Sequence, residues 1–231
     1  MNSVTASTAP PLQSRRASIA AVTRAAAVLL WRRPGLAIAA ALPEIAYETS
    51  DALWLGPIGE TQPFLAVLAL PIGIFAHGWT LALMAAAWEA TDQTPARVVL
   101  SRAGSLARAM AVAVVVIFVG LPLVAPAIYY YVHYLYVPIV AVRDPSRRPL
   151  AVLRRSKLLA RKHRGTTLAL TCLYVAFTLA LQAAFDRSGV DNYLTAVARA
   201  VSIALCSLAL AATAAQAYAR WKAVDTMQPK T

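Results

Sequence analysis

Six apolar stretches divide this chain, and they sort its charges. They lie near 35–55, 63–88, 106–122, 124–142, 165–185 and 195–218, each close to the about 20 mostly apolar residues that a membrane-spanning helix needs. If all six cross, every one of the 22 Lys and Arg except Arg187 and Arg199 falls on one side. That side holds Arg15, Arg16, Arg24, Arg32 and Arg33, then Arg97, Arg102 and Arg108, then the dense segment from Arg143 to Arg164, and finally Arg220, Lys222 and Lys230. The other side holds Arg187 and Arg199 with Glu48, Asp51, Glu60, Asp186 and Asp191. Lys and Arg favour the cytoplasmic face, so an even number of crossings with both termini in the cytoplasm is expected. Five crossings would put the Arg143–Arg164 segment outside, against that bias.

The third and fourth stretches form one apolar run over 109–142. As a single helix it would be roughly 51 Å long at the α-helical rise, against a hydrocarbon core of about 30 Å. Pro122 and Pro126 supply a break, so a hairpin of two short spans is expected.

Composition excludes the soluble alternative. Hydrophobic residues make up 59% of the chain and charged residues 14%, more apolar matter than a soluble core of this size can hide. The net charge of +12 would point to nucleic acid in a soluble protein. Here a cytoplasmic face meeting anionic lipid accounts for it, and no nucleic-acid partner is expected. Cys172 and Cys206 both sit inside apolar runs without metal-ligand spacing. Residues 1–14 are a polar tail expected to be disordered, 15–222 a single transmembrane domain, and 223–231 a C-terminal tail. Arg24, Arg32 and Arg33 interrupt the stretch that a cleaved signal peptide would need.

Aromatic residues fit the same layout. Trp31, Trp88, Tyr218 and Trp221 fall at inner ends; Trp54, Tyr129, Tyr130 and Tyr193 fall near outer ends. Trp79 is the exception, deep in the second stretch. Ala37 and Ala41, Ala69 and Gly73, and Ala211, Ala215 and Ala219 carry the small-xxx-small spacing of close helix contacts.

Three basic segments precede the three expected hairpins: 16–32, 95–107 and 149–163. Thr94-Pro95 and Pro149 are helix-start signals. The fold class is therefore all-α: six transmembrane helices in three hairpins, each preceded by a cytoplasmic interfacial helix. The third segment is the most amphipathic. Val152, Leu153, Ser156, Leu159, Ala160 and His163 share one face, and Arg154, Arg155, Lys157, Arg161, Lys162 and Arg164 form the other. Such a helix suits the headgroup layer, where each basic residue contributes about 1 kcal/mol beside anionic lipid. Anionic phospholipid is the expected partner, or the acidic surface of another protein.

Val137-Pro138-Ile139-Val140-Ala141-Val142-Arg143-Asp144, followed by Arg148-Pro149-Leu150-Ala151-Val152-Leu153-Arg154-Arg155-Ser156-Lys157-Leu158, resembles the join between the fourth and fifth spans of a bacterial group. That group is the membrane domain of glycerophosphoryl diester phosphodiesterases and its stand-alone relatives, including the YciC-like proteins. Leu30-Trp31-Arg32-Arg33-Pro34-Gly35 is similar to the opening of their first span. Arg143-Asp144 stands where that group often has a lone Glu, and Lys157 where it often has an aromatic. The resemblance implies a six-helix protein of the bacterial cytoplasmic membrane, without the catalytic domain and without any catalytic residue.

Ionisable groups at membrane depth are costly and mark functional positions. Glu44, Glu48 and Asp51 recur at i, i+4 and i+7 on the first stretch, one helical stripe. His77 and His133 lie near the middles of the second and fourth, and Arg199 near the outer end of the sixth. If Glu44, His77 and His133 converge, they can relay a proton or hold a divalent ion; local satisfaction by backbone and tyrosines is the simpler outcome, and neither metal nor cofactor is expected. Arg199 can pair with Glu48 or Asp51. HExxH, GxSxG and paired-aspartate motifs are all missing from the sequence. The expectation is a non-enzymatic accessory or lipid-interacting membrane protein, with a small secondary transporter or proton-coupled permease as the alternative.

Overall fold

The computed structural model describes residues 19–55, 62–88, 93–120, 125–144, 148–188 and 193–227. The expected N-terminal tail and the loop prolyl Pro122 lie outside the described residues. Every described element is helical: α1 (Ile19–Arg32), α2 (Pro34–Ser50) continued by a π-helical turn (Asp51–Leu55), α3 (Pro63–Ala87), α4 (Pro95–Ser101), α5 (Ala103–Gly120), α6 (Ala125–Tyr134), α7 (Val137–Arg143), α8 (Pro149–Lys162), α9 (Arg164–Ser188) and α10 (Tyr193–Met227). Proline in the first turn of α2, α3, α4, α7 and α8 explains where those helices begin. Its fixed φ suits that turn, and its missing N–H costs nothing there.

Among the described residues four helices are long and apolar enough to cross a membrane: within α3, α5, α9 and α10. They become five if α1 and α2 are taken together, although these two meet at a bend of 101°. Only 11% of the apolar window of α9 is buried, and Leu173, Phe177 and Leu179 are exposed along it. A helix apolar around its circumference and so little covered by protein needs lipid as its solvent.

The centre of the bundle is α2, α3 and α10, which pack on one another more extensively than any other set. Small residues let their backbones approach: Ala40 and Ala41 on α2 and Ala211, Ala212, Ala214 and Ala215 on α10 are buried. A Cβ at Gly73 would stand 2.7 Å from the Tyr47 ring, so only glycine lets that ring lie against α3. Leu83 and Met84 of α3, Val98 and Val99 of α4, and Ile139 to Val142 of α7 form a fully enclosed core. Consecutive apolar helices are neighbours: α2 on α3, α5 on α6 and α7, and α9 on α10.

Two segments differ from the sequence expectation. The second interfacial helix ends at Ser101 rather than near residue 107, because Arg102 leaves helical geometry and its Nη1 donates to the Val142 carbonyl. The fourth stretch is two short helices of 10 and 7 residues, roughly 15 and 10 Å long. Pro138 has no N–H for the Tyr134 carbonyl, and the chain breaks at Leu135-Tyr136. Tyr136 is fully buried in the break, its hydroxyl 3.2 Å from Thr167 Oγ1. Tyr129 meets the ring of Tyr130 edge-on at 5.6 Å and also the basic segment: Arg161 Nη2 donates to its hydroxyl at 3.1 Å, and Lys157 Nζ lies 5.7 Å from its ring centroid. The start of α6 therefore lies within reach of basic side chains on α8.

Candidate functional site

Glu44 is 3% exposed, in the middle of α2 and one position after Pro43. Pro43 cannot donate to the Ala39 carbonyl, and Trp79 Nε1 donates to it instead, at 3.4 Å. The deep tryptophan thus repairs a break in the α2 ladder. One residue on, Thr80 Oγ1 donates to the Ala40 carbonyl at 2.7 Å. These two contacts clamp α3 to α2 one turn before Glu44.

Four side chains from three helices surround the Glu44 carboxylate. Ser207 Oγ of α10 donates to Oε1. Thr80 Oγ1 lies 3.5 Å from Oε2, but its single proton is already placed on Ala40. His77 Nδ1 stands 3.6 Å from Oε1, with its side chain 13% exposed, and neither ring nitrogen has a hydrogen-bond partner. Tyr174 of α9 completes the cluster, its hydroxyl 3.0 Å from Ser207 Oγ and its ring centroid 5.3 Å from that of His77. Because Ser207 gives its proton to the carboxylate, Tyr174 is the donor to Ser207.

On its far side His77 borders a cavity of about 40 Å³ between α3, α5, α6 and α7, lined also by Met110, Tyr131, Tyr134 and Pro138. Apart from His77, Tyr131 and Tyr134 its lining is apolar. In the other direction along α2 come Glu48 and Asp51, and the charge of Arg199 acts on both. The structure therefore brings Glu44 to His77, and Arg199 to Glu48 and Asp51. His133 turns elsewhere: its Nδ1 lies 2.7 Å from the Tyr129 carbonyl and its ring packs 4.0 Å from the Tyr129 ring. Its own carbonyl accepts from Ser156 Oγ at 2.7 Å. Among the described residues no group of three or more His, Cys, Asp or Glu is placed to hold a metal ion.

A second polar cluster ties the end of α7 to α8 and α10. Asp144, just after α7, accepts from Tyr218 Oη at 2.5 Å and from Lys222 Nζ at 2.8 Å, with Arg155 Nη2 at 3.6 Å. Burial by itself would raise the Asp144 carboxyl. The hydrogen bonds from Lys222 and Tyr218 and the charges of Arg155 and Lys222 outweigh it and hold the group below the usual carboxylate range. Nearby, the His163 and Trp221 rings stack in parallel 3.6 Å apart, and Arg143 Nη1 reaches the Ala85 carbonyl at 3.4 Å.

The basic helix α8 rests on α5, α6 and α7. Val152, Leu153, Ser156 and Ala160 are buried, while Arg154, Arg155, Arg161, Lys162, the adjoining Arg164, and also Leu150 and Leu158 are exposed. Lys157 is half-buried over Tyr129. Sequence reasoning missed Ser207, Thr80 and Tyr174, although lone hydroxyls within apolar runs were a visible signal. It also missed the clamp at Asp144, which has no local pattern because its partners lie on other helices.

Comparison with protein-family models, with curated proteins and with solved structures gives no match. What fold and site define is thus a class: an all-helical chain with the long apolar helices of a multi-pass membrane protein.

Proposed function

We propose that the chain is a six-span integral protein of a bacterial cytoplasmic membrane, built as three hairpins with both termini inside, and that it acts without catalysis, as an accessory protein engaging anionic phospholipid headgroups through α8. Its resemblance to the phosphodiesterase membrane-domain group is part of this proposal. One observation carries the lipid contact. With its apolar face already used against the bundle, α8 still exposes Leu150 and Leu158 among Arg154, Arg161, Lys162 and Arg164. A face turned only to water has no use for two exposed leucines between arginines, whereas at headgroup depth they enter the acyl region and the guanidinium groups meet phosphate.

The test is reconstitution in nanodiscs of zwitterionic lipid with and without phosphatidylglycerol. The anionic lipid should raise the melting temperature of the wild type, and the variant R154Q/R161Q/K162Q/R164Q should lose most of that rise. Arg155 is left in place because it faces Asp144. An equal rise in the variant sinks the lipid contact. Topology is tested separately with Leu123→Cys in a Cys172→Ser/Cys206→Ser background: six spans require labelling by an impermeant maleimide from the outside. Labelling from the cytoplasm would make the α5–α6 pair re-entrant.

A second reading, a small proton-coupled permease, is favoured by the meeting of Glu44 with His77 in the bundle centre.

A further inference from the structure

A carboxylate enclosed at membrane depth needs either full hydrogen bonding or a proton. Glu44 lacks the first. Oε1 receives one good bond, from Ser207, while Oε2 has only Thr80 at 3.5 Å, whose proton is committed to Ala40. Beside it stands an imidazole with two buried nitrogens and no hydrogen-bond partner for either. Two adjacent groups are each short of hydrogen bonds, and a proton shared between Nδ1 and Oε1 gives one to each.

The geometry points to Glu44 and His77 as a proton-binding site that takes up one exchangeable proton between them, with Glu48 and Asp51 leading to it on one side and the water-sized cavity beyond His77 on the other. This rests on the membrane placement proposed above, not on the lipid contact. With the pair carrying one proton the cluster is neutral, either as carboxylic acid and imidazole or as carboxylate and imidazolium. Without it, a lone negative charge remains among apolar helices. The neighbouring groups on every packed element are consistent with one mobile proton. Tyr131 of α6, Tyr174 of α9 and Cys206 of α10 lie within electrostatic reach of Glu44, and all three are neutral at ordinary pH. Glu48 is the near acidic neighbour on α2 itself, and Arg199 of α10 offsets its charge. From α5 and α7 the cavity wall contributes only Met110, Ala113, Ile117 and Pro138. The 3.6 Å gap between Nδ1 and Oε1 closes with a small rotation of either side chain, and the cavity gives the imidazole room to do so. The coupled solute would be chosen elsewhere; the proton site itself is complete.

The experiment is infrared difference spectroscopy of the full chain in zwitterionic nanodiscs across a pH titration, where α8 has no anionic lipid to engage. Carboxyl-13C-glutamate labelling separates Glu from Asp bands, and 15N-histidine NMR follows the rings. The wild type should show one buried glutamic acid band and a His77 signal that change at the same midpoint. Glu44→Gln should remove the band, and His77→Gln should shift the Glu44 midpoint by about one pH unit, a tenfold change in proton affinity. If either variant fails to fold, the shared midpoint in the wild type still decides. A Glu44 carboxylate that never protonates over the titration, or Glu44 and His77 titrating independently, overturns the proposal.

Discussion

Asp144→Ala removes an acceptor that ties the end of α7 to α8 and α10. The structure sets the size of the loss. Tyr218 is 3% exposed and would be left with a buried, unpartnered hydroxyl, and a bond to a charged acceptor contributes about 1.5–3 kcal/mol. The cations contribute less, because the side chains of Lys222 and Arg155 are 39% and 58% exposed and solvent screens them to about 0.5 kcal/mol each. The total is about 3 kcal/mol, and at about 2–4 °C per kcal/mol for a chain of this size the melting temperature should fall by about 6–12 °C. Intrinsic tryptophan fluorescence in mild detergent at neutral pH measures it. Asp144→Asn keeps an acceptor for Tyr218 and should lose about half as much. The pH dependence has a definite sign. The folded carboxyl is held below its unfolded value, so its stabilisation is complete above the unfolded pKa of about 3.9 and is lost as pH falls through the folded value. Acidification should therefore narrow the gap between wild type and Asp144→Ala. A variant melting within about 1 °C of wild type at neutral pH would show that these helix ends are held by core packing alone.

Gly73→Val should lower stability by about 1–3 kcal/mol, because its Cβ would fall 2.7 Å from the Tyr47 ring and push it off α3; the matched control Gly104→Ala meets nothing within 4 Å and should gain up to about 1 kcal/mol in helix propensity. Thermal melts of the two, side by side, separate a close-approach glycine from an incidental one. Ser156→Ala should cost about 1 kcal/mol by leaving the His133 carbonyl without its 2.7 Å donor, and the α6–α8 contact should then exchange backbone amides faster in deuterium-exchange mass spectrometry. Unchanged exchange there would mean that the Arg161–Tyr129 bond holds the pair.

Much of the architecture is legible in one dimension. Apolar length, the prolines that open helices and the alternation of basic segments place most helices within a few residues, because these signals act through local geometry and through lipid as solvent. The stripe of Glu44, Glu48 and Asp51 is equally readable, since it needs only the helical repeat. His133 shows the limit. It lies near the middle of an apolar run; Pro138 is a local signal for the break between α6 and α7, but nothing along the chain says that the ring lies against Tyr129.

Pairing across helices belongs to the tertiary structure. Which hydroxyls meet Glu44, that Trp79 repairs the carbonyl freed by Pro43, and that Asp144 gathers Tyr218, Lys222 and Arg155 all depend on how helices rotate about their axes and how closely glycine and alanine let them approach. The sequence by itself determined that this chain is helical, apolar and basic on alternate connections, because length and hydropathy act residue by residue. Only the packed bundle decided which polar groups face one another, because that is fixed by contacts between residues as far apart as 44 and 207.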